Sequence, residues 1–64
     1  MYERLIMEMK KHGITQKKLA EAIGVTEASA GTKVRGQSRF NSDEMFIICG
    51  MIPEVPMHVL FKRG

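Results

Sequence analysis

Sixty-four residues leave room for one domain with a modest core, and 44% hydrophobic and 27% charged residues are the balance of an ordinary globular chain. The single cysteine, Cys49, excludes an intramolecular disulfide and fits a reducing cytoplasm; no apolar run approaches the ~20 residues of a membrane span. The formal net charge of +3 is unevenly spread: Lys10, Lys11, Lys17, Lys18, Lys33, Arg35 and Arg39 face only Glu21 and Glu27, which is seven minus two, or +5, between Lys10 and Arg39, and −2 elsewhere. Such a field suits a polyanionic partner, and it is equally the pattern of a solvated surface with chance clustering.

Tyr2, Leu5, Ile6 and Met9 recur at helical spacing among Glu3, Arg4, Glu8 and Lys10, which predicts an amphipathic helix over about residues 2 to 11. Its charge alternation is unlike a signal peptide. Acid early and base late complement the helix dipole, and His12-Gly13 ends it. Thr15 is a good cap for a second helix whose Gln16, Leu19, Ala20 and Ile23 share a face. Gly24 ends that helix. Thr26 caps a third, expected to run to about Arg35, with Gly36 as its stop. This third helix is poor in apolar residues, holding Ala28, Ala30 and Val34, and carries Gly31 inside at a cost of about 1 kcal/mol relative to Ala.

Residues 36 to 39 read as a loop and Phe40 as an apolar anchor. Asn41 or Ser42 caps a fourth helix with a buried stripe of Met45, Ile48, Cys49 and Ile52. Pro53, Val55 and Pro56 frame a last short helix over about 55 to 61, with Met57, Leu60 and Phe61 facing inward. No segment alternates with a period of two. The fold class is all-α, a compact bundle of about five short helices in a single domain spanning residues 1 to 64.

The run Thr15-Gln16-Lys17-Lys18-Leu19-Ala20-Glu21-Ala22-Ile23-Gly24-Val25-Thr26 resembles the helix-turn-helix of phage Cro and repressor-type proteins, the lambda-repressor-like domain. Gln16, the Leu19-Ala20 pair and Ile23-Gly24-Val25 carry the likeness, and Val34, Gly36, Ser38, Phe40, Glu44-Met45 and Ile48-Cys49 extend it over nearly the whole chain. The physical reading agrees: Ala20 is small where a second helix crosses closely, Gly24 shapes the turn, and Leu19 and Val25 plug the junction. Leu19, Ile23, Val25 and Val34 read as core. The resemblance implies a sequence-specific, double-stranded DNA-binding regulator of transcription, with the third helix laid in the major groove.

Carried over position by position, the resemblance implies base contacts from Thr26, Glu27, Ala28, Gly31, Thr32 and Arg35. Glu27 has a second reading as a dipole partner or helix salt link; as a base contact it would accept from cytosine N4. Phosphate contacts fall to Gln16, Lys17, Ser29, Lys33, Gln37, Ser38 and Arg39, with Ser29 and each lysine reading alternatively as a solvated side chain. Two departures from the family pattern stand out. Ala30 occupies a position where the family carries Leu, Ile or Val, and the third helix lacks the Gln, Asn or Arg pairs that read bases bidentately.

Regulators of this type usually pair across a two-fold site, and the last helix, with Met57, Val59, Leu60 and Phe61, is the expected homodimer surface; the other reading has these residues closing the monomer core. No catalytic constellation, cofactor loop or small-molecule site is expected. His12 and His58 read as surface residues without an acid or Cys at ligand spacing, and Cys49 as a buried small hydrophobe. A module that binds another regulatory protein is the alternative function.

Overall fold

The computed structural model describes residues 1–63. They form five helices and, among the described residues, no strand: α1 (Glu3–Lys11), α2 (Gln16–Ile23), α3 (Glu27–Val34), α4 (Ser42–Met51) and α5 (Met57–Leu60). Three helix starts are fixed by side chains. Thr15 accepts from Lys18 N–H, Thr26 accepts from Ser29 N–H, and Asn41 accepts from Glu44 N–H while the Glu44 carboxylate takes Asn41 N–H in return. Each cap supplies an acceptor for an N–H that the helix itself leaves without a partner.

The last helix is shorter than the expected 55–61. Pro56 stays extended at the N-cap, and Val55 is buried as part of the connecting loop, so only one turn of helix remains. At the other end of the chain Tyr2 lies just outside α1, and its N–H donates to the carbonyl of Val34, tying the N-terminus to the end of α3.

Leu5, Leu19, Ile48, Ile52 and Leu60 are wholly enclosed, one or two from each of α1, α2, the α4 end and α5. Tyr2, Phe40 and Phe61 close one side of this core as three mutually tilted rings with centroids 5.3–5.9 Å apart, a geometry that places ring edges against ring faces. Of the stripe expected on α4, Ile48 and Ile52 are buried, while Met45 and Cys49 are half-buried against the core. Two carboxylates are also inside: Glu8 and Glu44.

Leu60 is fully buried, so the expectation that it lines a dimer surface is corrected. A four-residue helix presents few side chains, and this one closes the monomer. Phe61 is half-buried in the aromatic trio and Val59, two residues before it, is half-buried against the core; of the four, Met57 alone is exposed. Large apolar side chains stand exposed elsewhere, notably Phe46 and Ile47 on α4, at 71% and 42%.

Candidate nucleic-acid interface

α2 and α3 are joined by three residues. Gly24 takes a left-handed conformation, φ 75° and ψ 35°, and its N–H and that of Val25 both return to the carbonyl of Ala20. Nothing crowds a side chain there, so the demand for glycine comes from the backbone angle, which costs an L-residue roughly 1 kcal/mol or more. Leu19, Ala20 and Ile23 are buried on α2, and Ala30 and Gly31 on α3. α3 rests predominantly on α2.

The inner face of α3 explains its odd composition. Gly31 lies beneath the side chain of Gln16: a methyl placed on it would stand 2.7 Å from Gln16 Nε2. Gln16 in turn donates from Nε2 to the carbonyl of Glu27 at 2.8 Å, clasping the first turn of α3. Gly31 is therefore a close-approach position, and its expected role as a base contact is corrected, since a buried backbone under another side chain offers no edge to a ligand. Ala30, with no exposed surface, fits the same close crossing.

The outer surface is different. Thr26, Glu27, Ala28 and Arg35 are exposed, and Ser29 and Thr32 half-buried. Thr26 uses its oxygen lone pair for the cap and keeps its hydroxyl proton to donate. The Thr32 hydroxyl donates to Ala28 O, so its methyl is the part left to meet a partner. Lys17 and Lys18 at the start of α2, and Arg35, Gln37, Ser38 and Arg39 after α3, are all exposed. None of Lys17, Lys18, Arg35 and Arg39 pairs with an acid among the described residues.

Lys33 departs from this set. Its ammonium donates to Glu44 Oε1 at 3.1 Å and to Arg39 O at 2.9 Å, and its side chain is only 14% exposed. It also lies 5.9 Å from the centre of the Phe40 ring. The expectation that Lys33 tracks a phosphate backbone is corrected: the buried Glu44 carboxylate holds it inward. Sequence reasoning missed this ion pair because Lys33 and Glu44 sit eleven residues apart on different helices.

His12 is also not as expected. Glu8 precedes it by one helical turn, and its Nε2 meets the Glu54 carboxylate, 42 residues away. The i, i+4 relation of Glu8 and His12 was visible in the sequence; the approach of Glu54 was not. Glu54 titrates below its ordinary 4.5, first because a backbone N–H bonds to its carboxylate and then because His12 does. No described helix is long and apolar enough to cross a membrane. Compared with models of protein families, with curated proteins and with solved structures, the chain shows no match.

Proposed function

We propose that the chain is a helix-turn-helix regulator of transcription of the phage Cro/repressor type, which binds a double-stranded operator by laying α3 in the major groove. One observation carries this reading. Ala30 and Gly31 are the buried residues of α3, which leaves Thr26, Glu27, Ala28 and Arg35 on open surface. Unpaired Lys17, Lys18 and Arg39 flank that surface, as phosphate contacts flank base contacts in groove-bound helices. Glu27 is then placed to accept from cytosine N4, and Ala28 and the Thr32 methyl to touch a thymine methyl. Without bidentate side chains at the start of α3, part of the discrimination comes from DNA shape.

The decisive experiment is selection of bound duplexes from a random pool at low salt, followed by affinity against salt for the enriched sequence. The expected outcome is an enriched palindrome and an affinity that falls steeply with salt. Replacing Lys17 or Arg39 by Ala makes the slope of log K against log salt shallower by about 0.9 for each phosphate no longer neutralised, whereas replacing Arg35 by Ala weakens binding and relaxes the sequence preference. Absence of any duplex binding at low salt refutes the proposal. The palindrome belongs to the same reading, since a pair of copies would set two α3 helices about 34 Å apart. Sedimentation at several concentrations tests the pairing.

The alternative, a module that binds another regulatory protein, draws on the exposed Phe46 and Ile47 of α4. Under that reading the Lys17, Arg35 and Arg39 variants leave partner binding unchanged, whereas under the first they weaken duplex binding.

A further inference from the structure

We propose that Glu8, His12 and Glu54 form a binding site for a divalent transition-metal cation of the zinc class, which staples the end of α1 to the α4–α5 connection. Glu8 and His12 are one turn apart on α1, so both side chains leave the same face. Glu54 is presented by the connection between two buried residues, Ile52 and Val55, which fix the backbone on either side of it. One ligand atom from each of the three lies within 4.8 Å of the others.

The second observation is the state of Glu8. Its side chain is 2% exposed. Oε2 accepts from Arg4 Nε at 3.0 Å, but Oε1 is buried and accepts no hydrogen bond. Lys11 Nζ stands 3.8 Å from Oε1, beyond hydrogen-bond reach, and is itself largely in solvent. A buried carboxylate oxygen without a donor is costly, and an orphan of this kind signals a missing partner. A metal ion supplies one.

The donor set selects the class of ion. One imidazole and two carboxylates suit zinc, cobalt or nickel; magnesium and calcium call for all-oxygen shells. Tetrahedral zinc with bonds of about 2.0–2.2 Å separates its ligand atoms by roughly 3.3–3.5 Å. The direct contact between His12 and Glu54 therefore opens by about 1 Å to admit the ion. Both side chains are partly in solvent, at 30% and 49% exposure, and are free to make that move. Three protein ligands leave one position for water. Arg4 and Lys11 offset the two carboxylates, so the ion enters a neutral cluster and binds less tightly than it would between unopposed acids. Because the ligands lie 42 residues apart, the unfolded chain has no such site, and binding appears as folding stability.

The test is calorimetric titration of zinc chloride into the full chain at neutral pH, paired with thermal melts in zinc and in chelator. The expected result is one zinc per chain, a melting temperature raised by zinc and not by magnesium, and an affinity reduced at least about tenfold in both His12→Asn and Glu54→Gln. Both positions are partly exposed, and each variant's circular dichroism in chelator checks that it folds. The exposed His58 serves as the control: His58→Asn binds as the parent does. Loss of binding in His58→Asn, unchanged binding in His12→Asn and Glu54→Gln, or no stabilisation of the parent by zinc would each overturn the proposal.

Discussion

The contact between Gln16 and Gly31 makes a sharp quantitative prediction through a pair of substitutions. Gly31→Ala on its own combines two opposing effects. Replacing an interior helical glycine by alanine gains about 1 kcal/mol of helix propensity. The new methyl would sit 2.7 Å from Gln16 Nε2 and 2.9 Å from its Cδ, closer than such atoms tolerate, so the Gln16 side chain must swing away. That movement breaks its 2.8 Å bond to Glu27 O, worth about 1 kcal/mol. The two nearly cancel, and Gly31→Ala is expected to change stability by less than about 0.5 kcal/mol.

In a Gln16→Ala background the obstacle is gone. There the same Gly31→Ala substitution is expected to stabilise by about 1 kcal/mol, because the propensity gain is unopposed. The double-mutant cycle thus has a coupling energy of about 1 kcal/mol. For a domain of this size that is a shift of roughly 4–8 °C in melting temperature, well within reach of denaturation followed by far-ultraviolet circular dichroism. If Gly31→Ala stabilises equally in both backgrounds, Gln16 does not cover Gly31, and the account of how α3 docks on α2 is wrong.

Asn41→Ala removes the side-chain half of the α4 capping box, Oδ1 accepting from Glu44 N–H, leaves the backbone N–H of residue 41 on the Glu44 carboxylate, and should destabilise by about 1 kcal/mol, measured by urea denaturation. Lys33→Met keeps the stem over Phe40 but strips the buried Glu44 of its ammonium; the expected loss is about 1–3 kcal/mol, and Lys33→Met combined with Glu44→Gln should lose less than the sum of the two. Glu54 has a folded pKa below its ordinary 4.5, so its contribution to stability is present above that value and lost as pH falls through the folded one. In chelator, Glu54→Gln should therefore melt below the parent at neutral pH, and the two should converge as pH drops below about 4.5; a gap that persists in acid contradicts the assigned cause.

Helix boundaries were legible in the sequence wherever a side chain sets them. Thr15, Thr26 and Asn41 cap through local bonds three residues away, and Gly24 stops α2 through its own backbone angle; all four act within a turn of chain. What the sequence hid was set by neighbours distant along the chain. Gly31 reads as a propensity penalty until Gln16 is seen above it. Lys33 reads as surface charge until Glu44 is found beside it, and His12 reads as a surface residue without an acid partner until Glu54 is found beside it. The inward face of α4 was legible despite an unbroken apolar run over residues 45 to 49: helical spacing picked Met45, Ile48, Cys49 and Ile52 and left out Phe46 and Ile47, which are exposed. Of the candidate interface, Thr26, Glu27, Ala28 and Arg35 are exposed, while Gly31 and Lys33 turn inward.

The way α3 is held bears directly on what its outer face is free to do. Eight residues with Ala30, Gly31 and a half-buried Val34 bury too little apolar surface to anchor a helix by that means alone. The anchoring comes instead from polar contacts: the Thr26 cap, Gln16 on Glu27 O, Tyr2 N–H on Val34 O, and Lys33 on Glu44. Three of these four reach α3 through its backbone or its N-cap, and the fourth uses a side chain turned inward. None uses the side chains of Glu27, Ala28 or Arg35. Stability and recognition on the proposed reading are thus assigned to different atoms of one helix, and the missing core hydrophobe at Ala30 is the counterpart of an approach close enough for backbone contacts to hold the helix in place.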